Sequence, residues 1–415
     1  MSKMIIRIIL FLLMFVAVFD PSDLVFHLKV PLFVAVWVFF ATDTAISNDR
    51  WHDVSARLYL YLFLFVMILP GFGIMVYILR GGGLEGYDGF QYLKSYLFLT
   101  LCIPLTAKRI DLIRPLTLIL CLLSMATIVL YAVTLNNELL RAYAAEFGDA
   151  YTVFSLTNRS YGALSYQSLY FHASPLLVIP IVYFCYRFLH TASWKRLSCG
   201  VLLALNVCAM LLSGTRNNML VAVAAPLLIV AWYRGRVAKW MIAAFLFAVL
   251  FIGLSSGVIQ AMFDSDDYST AIKLGHIQDY GMIFSDWRTV LFGQGLGAKF
   301  FSTAWGTEVS ITELTYLELI RNYGIFVAPI FYFLIVYPLR SLTNPRMGSI
   351  HYLLLGYLGY LYICTANPLL LSSSGMLVLS AVLYHTFCGE AMQLSRVGEA
   401  GSAALYTRSA TNFVS

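Results

Sequence analysis

Long apolar runs follow one another along almost the whole chain, and short polar links separate them. A run of about 17 to 25 mostly apolar residues is long enough to cross the hydrocarbon core of a bilayer as a helix. The pattern therefore predicts an all-α polytopic membrane protein of about twelve transmembrane helices. The predicted spans lie near residues 4–19, 24–42, 57–79, 91–106, 110–135, 164–188, 198–213, 217–233, 238–262, 317–339, 350–366 and 369–387.

The composition supports a lipid solvent. Of the 415 residues, 60% are hydrophobic and 12% are charged, whereas soluble domains carry roughly 25% charged residues. A chain threaded repeatedly through a bilayer forms one bundle, so we predict a single transmembrane domain over residues 1–388 and a cytoplasmic tail over 389–415. The formal charge of +6 is spread between apolar runs, which argues against a nucleic-acid partner.

Cysteine usage and the N-terminus narrow the class further. The seven cysteines lie in apolar runs or at their ends and form no CxxC pair, so neither disulfides nor a zinc site is expected. No metal or cofactor is predicted. The first run follows basic residues like a signal peptide, but Phe19, Asp20 and Pro21 offer no small-residue cleavage site. We expect this run to be retained as the first helix.

The charged links give the orientation. Most of the 27 Lys and Arg residues fall in the links on one side of the twelve-span threading, and most of the 21 Asp and Glu residues fall on the other. Basic residues near helix ends stay in the cytoplasm, so both termini are predicted to be cytoplasmic. Two long extracytoplasmic loops result, at 136–163 and 264–316. Loops longer than about 15 residues are usually functional or disordered, and the second is expected to fold over the bundle.

Arg216 is the first candidate for chemistry. It follows Ser213, Gly214 and Thr215 in a tight turn between the seventh and eighth spans, at membrane depth near the outer surface. A charge at that depth usually faces a wet cavity or the bundle interior, and a guanidinium group binds phosphate through two parallel hydrogen bonds. The alternative is an arginine that snorkels to the interface and merely fixes the turn.

Lys273, His276 and Arg288 lie on an amphipathic stretch of the second long loop, just before the glycine-rich residues 291–297. A solvated loop face is the alternative for all three side chains. No βαβ context surrounds the glycines, so a nucleotide-binding fingerprint is excluded. The glycines are expected to allow a sharp turn or a close approach to a ligand. Trp287 and Trp305 of this loop could stack on sugar rings.

Charged residues also surround the entry to the tenth span. Glu318 and Arg321 are three residues apart, a spacing that permits a local ion pair on one helix face. Glu313 has no such obvious partner. Between the eleventh and twelfth spans, Asn367 and Pro368 predict a helix break satisfied by polar side chains.

Three of these features, in this order, resemble the bacterial O-antigen polymerase and ligase superfamily: Ser-Gly-Thr-Arg at 213–216, Leu-Phe-Gly-Gln-Gly-Leu-Gly at 291–297, and the stretch 313–324. The resemblance covers roughly residues 150–375. Ligases of the superfamily typically carry a His-Asn-x-Tyr-Leu motif after the glycine turn, whereas this chain has Glu-Leu-Thr-Tyr-Leu at 313–317. The resemblance therefore favours a repeat-unit polymerase over a ligase.

The resemblance implies a GT-C-like fold in the bacterial inner membrane and a metal-independent glycosyl transfer at the periplasmic face, without a cofactor. The substrates would be undecaprenyl-diphosphate-linked glycans used for O-antigen or a related surface polysaccharide. Membrane lipids and a chain-length-regulating co-polymerase are the other partners implied. Two alternatives stay open. A ligase would use a lipid A-core acceptor, and a flippase or other transporter would move the glycan, although we find no internal symmetry of the kind transporters often have.

Elementary chemistry then assigns roles within the implied reaction. The departing diphosphate gains negative charge, which cations placed near the membrane surface would stabilise. We expect Arg216, Arg288, Lys273 and Arg321 to serve this purpose. The acceptor is a sugar hydroxyl, so a nearby general base would help. Glu313 is the first candidate for that base and His276 the second.

Overall fold

The computed structural model describes residues 2–47, 54–83, 87–161, 164–237, 239–244 and 268–388. Helices make up most of this part of the chain. They are α1 (Ser2–Phe19), α2 (Lys29–Ser47), α3 (Ala56–Leu79), α4 (Gly89–Leu97), α5 (Cys102–Lys108), α6 (Ile113–Asn136), α7 (Glu138–Tyr151), α8 (Val178–His190), α9 (Trp194–Leu212), α10 (Arg216–Tyr233), α11 (Tyr268–Ile283), α12 (Trp287–Phe292), α13 (Thr315–Val336), α14 (His351–Ile363) and α15 (Ser373–Cys388).

Four strands form two small antiparallel hairpins. Strand β1 (Phe154–Tyr161) pairs with β2 (Leu164–Phe171), and β3 (Phe300–Ser302) pairs with β4 (Thr307–Val309). Both hairpins lie in or beside the two long loops predicted from the sequence. The prediction of a predominantly helical protein is confirmed.

Six helical segments of the described chain are long and apolar enough to cross a membrane, which confirms the prediction of a membrane-embedded protein. They are Lys29–Ile46, Ala56–Leu79, Ile113–Asn136, Trp194–Leu212, Arg216–Tyr233 and Thr315–Thr343. Shorter apolar helices cover Ser174–His190 and Ser373–Cys388. The predicted span at 238–262 lies largely outside the described residues, and the predicted tail at 389–415 lies wholly outside them. The total of twelve spans and the GT-C-like fold stay predictions.

The surface of α6 has the character expected of a lipid solvent. Leu118, Leu122, Met125, Val129 and Val133 are all exposed, and their spacing of three or four residues places them in one stripe along the helix. The opposite face, with Ile119, Leu120 and Leu123, is fully buried. Water would solvate such an exposed apolar stripe poorly, whereas lipid tails are as apolar as the stripe itself.

Three predicted spans need correction: the fourth, the sixth and the tenth, of which the tenth is described with α13 below. The sixth was expected to begin at residue 164, but residues 164–171 form β2, whose backbone pairs with β1 from Phe154↔Phe171 to Tyr161↔Leu164. The membrane helix there begins near Ser174. The fourth span, expected at 91–106, consists of α4 and α5 with a 3₁₀ segment at Phe98–Leu101 between them. Apolar content alone did not distinguish these structures from continuous helices.

Helix α13 reverses direction in its middle. In a continuous helix, Tyr316 and Tyr332 would be about 24 Å apart along the axis. Instead, Tyr332 Oη donates a hydrogen bond to the carbonyl oxygen of Tyr316 at 2.5 Å. Gly324 makes the reversal possible because its φ of 68° and ψ of 173° are non-helical and suit a residue without a side chain. The predicted tenth span is therefore a short helical segment that folds back onto a longer one.

Candidate functional site

A cavity of about 830 Å³ opens at one end of the bundle. Six links between helices contribute residues to its wall. They are the same six links that the twelve-span prediction places on the extracytoplasmic side. In chain order they supply, among other residues, Pro21, Asp88, Arg159, Gly214, Glu313 and Asn367. The six links thus share one end of the bundle, as alternate threading of helices requires. The compartment that this end faces stays a prediction.

Three cationic side chains line the cavity among the described residues: Arg159 on β1, Arg216 at the start of α10, and Lys273 on α11. Arg216 Nη1 donates to Thr270 Oγ1 at 2.7 Å, and Thr270 lies one helical turn before Lys273. The Nε atom of Arg159 is buried and has no hydrogen-bond partner within the described part of the chain. The wall therefore concentrates positive charge that an anionic ligand could neutralise.

The turn before α10 explains how Arg216 reaches the cavity. Gly214 adopts a φ of 68°, and a Cβ atom there would lie 2.4 Å from the Cβ of Ser168 on β2. Only glycine fits this backbone and this close approach. Asn218 Nδ2 donates to the buried Ser213 Oγ at 3.0 Å, so the turn is fixed from inside. Arg216 consequently leaves a rigid corner and lines the cavity, and its role in binding a diphosphate stays a prediction.

Glu313 lines the same cavity from the segment that precedes α13. It is half-buried, and its neighbours are held on both sides. Thr312 Oγ1 lies 2.7 Å from Tyr280 Oη, and Thr315 Oγ1 donates to the carbonyl oxygen of Asn367 at 2.7 Å. A fixed backbone places the carboxylate in the cavity that also contains the cations. Glu313 therefore lies where a general base could act, and its role as a base stays a prediction.

His276 lies behind the cavity wall. Its side chain is fully buried, and its ring packs edge-to-face against the ring of Trp305, which does line the cavity, at a centroid distance of 4.6 Å. His276 Nδ1 is 3.2 Å from Ser302 Oγ and 3.8 Å from Asp279 Oδ2. Burial lowers the pKa of this histidine, although the nearby carboxylates of Glu313 and Asp279 act in the opposite direction. His276 therefore lies one layer behind the wall and does not line the cavity; its role as the second candidate base stays a prediction.

Arg321, expected to bind a diphosphate, has its hydrogen-bonding capacity already used by protein groups in this structure. An arginine has five N–H donors. Nε and Nη2 bind the Glu318 carboxylate, Nη1 binds Gln294 Oε1 at 2.9 Å and the Ala298 carbonyl at 2.7 Å, and Nη2 also binds the Ser310 carbonyl at 2.8 Å. The side chain is fully buried. The alternative interpretation, a local ion pair with Glu318, is the one observed.

Arg288 does not join Arg216. It lies exposed on the short helix α12, where its guanidinium carbon is 5.7 Å from the ring centroid of Trp287, and it is absent from the cavity wall. Asp286 caps this helix by accepting from the Arg288 backbone N–H at 3.1 Å. The expected pair of Arg216 and Arg288 around one diphosphate is therefore not formed in this structure.

The glycine-rich loop at 291–297 serves backbone packing. Gly293, Gly295 and Gly297 have φ values of 82°, 95° and 74°. A Cβ atom on Gly295 would lie 2.4 Å from the backbone nitrogen of Tyr77 on α3, and one on Gly293 would lie 2.4 Å from the carbonyl oxygen of Asn322 on α13. Of the two expectations, a sharp turn or a close approach to a ligand, the structure provides the turn. The loop packs against both α3 and α13 and thereby holds these two helices together.

Sequence reasoning placed Tyr170 and His172 at the outer end of the sixth span, where they could line a cavity, but it did not single out Arg159 on the first hairpin. Arg159, Tyr170 and His172 line the cavity, but the stretch that includes β2 was interpreted as the start of a membrane span. Asn367, expected only to satisfy a helix break, accepts from the Leu369 backbone N–H at 2.9 Å and donates to Tyr170 Oη. Burial raises the pKa of Tyr170 and lowers that of His172. Both groups are therefore neutral near pH 7.

No cluster of three or more His, Cys, Asp or Glu residues with metal-binding geometry occurs in the described ranges. No protein-family model matches the chain, and no curated protein is significantly similar to it.

Proposed function

We propose that this protein polymerises undecaprenyl-diphosphate-linked oligosaccharide repeat units at the extracytoplasmic face of the membrane. One observation carries the proposal: Arg159, Arg216 and Lys273 share a cavity of about 830 Å³ with Glu313, at one end of a membrane-embedded bundle. Such a cavity combines a site for an anionic leaving group with a group that can accept a proton. The motif order in the sequence suggests the same reaction.

The reaction requires stabilisation of the leaving diphosphate and a base that accepts the proton of the acceptor hydroxyl. The acceptor hydroxyl oxygen attacks the anomeric carbon of the donor sugar, the bond from that carbon to the diphosphate breaks, and the diphosphate departs with the bonding electrons. Cations fixed beside the diphosphate stabilise the charge that it gains. Glu313 accepts the proton that the hydroxyl loses, as a general base does. Arg159 replaces Arg288 and Arg321 in this scheme, because it lines the cavity and they do not.

The grouping of the cations gives the proposal a second support. Positive charges that lie close together repel one another, and a bound anion offsets that repulsion. Arg216 and Lys273 lie next to each other through Thr270, and Arg159 packs against the same turn, since its Cγ atom would be 3.3 Å from a Cβ atom on Gly214. Three positive charges gathered around one polar cavity favour a ligand with more than one negative charge. A diphosphate meets that requirement.

Reconstitution would test the proposal. Proteoliposomes that contain the purified protein are supplied with undecaprenyl-diphosphate-linked single repeat units, and the products are separated by length. Products of two or more repeats are the expected result. Transfer that occurs only when lipid A-core is added would instead identify a ligase, and movement of the glycan across the bilayer without a new bond would identify a transporter.

A further inference from the structure

The tip of the β3–β4 hairpin is fixed to α11 by two buried side chains. Asp279 accepts hydrogen bonds from the backbone N–H of Thr303 at 3.1 Å and from its hydroxyl group. His276 contacts Ser302 Oγ at 3.2 Å. His276, Asp279 and Ser302 are at most 1% exposed. Burying polar groups this deeply costs free energy unless they are hydrogen-bonded. Here their hydrogen bonds hold one short turn in a single geometry.

This arrangement positions Trp305. The backbone N–H of Trp305 donates to Ser302 Oγ at 3.3 Å, and its ring meets the His276 ring edge-to-face. Trp305 lines the cavity and is 38% exposed. A large aromatic surface that is held rigidly and presented to a polar cavity is typical of a ligand contact, since it adds contact area at little cost in conformational entropy.

The order of groups along α11 suggests what lies on the indole. Thr270 holds Arg216, Lys273 follows one turn later, and His276 supports Trp305 one further turn on. Each step rises about 4.5 Å along the helix. A ligand that extends along this wall therefore meets two cations first and an aromatic surface next. An anionic group followed directly by a flat, partly apolar ring fits this sequence of contacts.

The rest of the cavity wall favours a sugar as that ring. Neutral hydroxyl and amide side chains, which pair with sugar hydroxyls as donors and acceptors, contribute much of the lining, including Gln91, Ser95, Ser155, Asn217, Ser310 and Ser372. A pyranose has one face of C–H groups that is apolar and slightly positive, and it therefore complements the negative face of an aromatic ring. Few other ligands combine this face with so many hydroxyls.

We propose that Trp305 is a sugar-binding residue that stacks on a pyranose ring of the glycan next to the diphosphate site. The inference rests on the proposed function only in taking the ligand to be a glycan, and binding alone can test it. The ring belongs to the repeat unit, which is the glycan of the donor and of the acceptor alike.

The test measures equilibrium binding to the detergent-solubilised protein. Two probes are used: the undecaprenyl-diphosphate-linked repeat unit, and the same oligosaccharide released from its lipid. For Trp305→Leu, which keeps an apolar side chain but no ring, we expect an affinity at least about tenfold lower, or about 1.4 kcal/mol. Trp305→Phe should stay within about threefold of the wild type. The loss should appear with both probes, because the indole ring contacts the sugar that the two probes share.

Trp287→Leu is the matched control, because Trp287 is 62% exposed in the same loop but is not part of the cavity wall. Its affinity for both probes should equal that of the wild type. Unchanged binding by Trp305→Leu would overturn the inference, and so would an equal loss in Trp287→Leu or no binding by the wild type. Wild-type protein that binds the released oligosaccharide but forms no polymer would contradict the proposed function and leave the sugar site in place.

Discussion

Arg216 and Arg321 lie at the same end of the bundle, yet their surroundings differ. The five donors of Arg321 are all taken by protein acceptors, and its side chain is fully buried. Arg216 is half-buried in the cavity wall, where a threonine hydroxyl accepts one of its hydrogen bonds. Access to the cavity separates the two arginines, because Arg216 lies in the cavity wall and Arg321 is fully buried behind it.

The contacts of Arg321 explain what a saturated arginine does. Through Glu318, Gln294, Ala298 and Ser310 it connects α13 to the glycine-rich loop and to the segment before α13. Tyr280 extends the network to α11 by donating to Glu318 Oε2 at 2.7 Å. This network, which we call the Arg321 cluster, holds together the parts of the second loop that form one side of the cavity. These contacts give Arg321 a structural role, whereas Arg159, Arg216 and Lys273 lie in the cavity wall.

The largest effect should come from a carboxylate of the cavity. Glu313→Gln removes a proton acceptor but keeps the size of the side chain, so turnover should fall by about 10² to 10⁴ while the melting temperature stays close to that of the wild type. Polymer formation in proteoliposomes measures the turnover. A Glu313→Gln variant that still forms long polymer would assign the base elsewhere.

A substitution in the Arg321 cluster should have a different effect, because it should lower the stability of the protein. Arg321→Ala leaves the Glu318 carboxylate buried without its partner, and such a loss typically costs about 3–5 kcal/mol of stability. We expect a large decrease in the denaturation midpoint in mixed micelles. The double change Arg321→Met with Glu318→Leu should recover part of that loss, because it removes both charges. If Arg321→Ala instead folds as stably as the wild type and fails only in donor binding, the contrast between the two arginines is lost.

Among the cations of the cavity, Arg216 offers the next test. Arg216→Ala should lower turnover by about 10², the usual cost of losing one group that stabilises developing charge, with little change in stability. Arg80→Ala is the control, since Arg80 forms an exposed ion pair with Asp286 at 3.3 Å and such pairs contribute at most about 1 kcal/mol. Arg288→Ala sharpens the comparison, because its position outside the cavity predicts activity close to that of Arg80→Ala.

The smallest effect concerns pH. Burial lowers the pKa of His276 below its ordinary value of 6.5, so the unfolded chain binds this proton more readily than the folded protein does. The stability that depends on neutral His276 is therefore fully present above about pH 6.5 and is lost as the pH falls through the folded-state value. Melting temperatures recorded from pH 8 to pH 5 should fall less steeply for His276→Gln than for the wild type.

His172 contributes to the same pH dependence, because burial shifts its pKa in the same direction. The single His276→Gln variant should consequently keep part of the slope, and adding His172→Gln should reduce the slope further. Identical slopes for the wild type and for His276→Gln would contradict the assignment of a buried neutral imidazole.

Local sequence signals by themselves determined several features of this protein. The apolar run of α6 is long enough to cross a bilayer, and the spacing of Glu318 and Arg321 permits their ion pair. Both features depend on residues within one helix, so the rest of the chain does not alter them. The turn at Gly214 belongs to the same category, since a short polar turn between apolar runs is a local signal.

Tertiary structure alone decided which cations share the cavity. Arg159 lines the cavity because β1 pairs with β2, in a stretch whose apolar content predicted a membrane span. Arg288 does not line the cavity because α12 lies outside its wall. Glu313 enters the cavity because α13 folds back at Gly324, so that the segment before it lies against Asn367. Each of these outcomes requires contacts between residues that are distant in the sequence. No periodic pattern records such contacts, because their free energy depends on how separate helices and loops pack together.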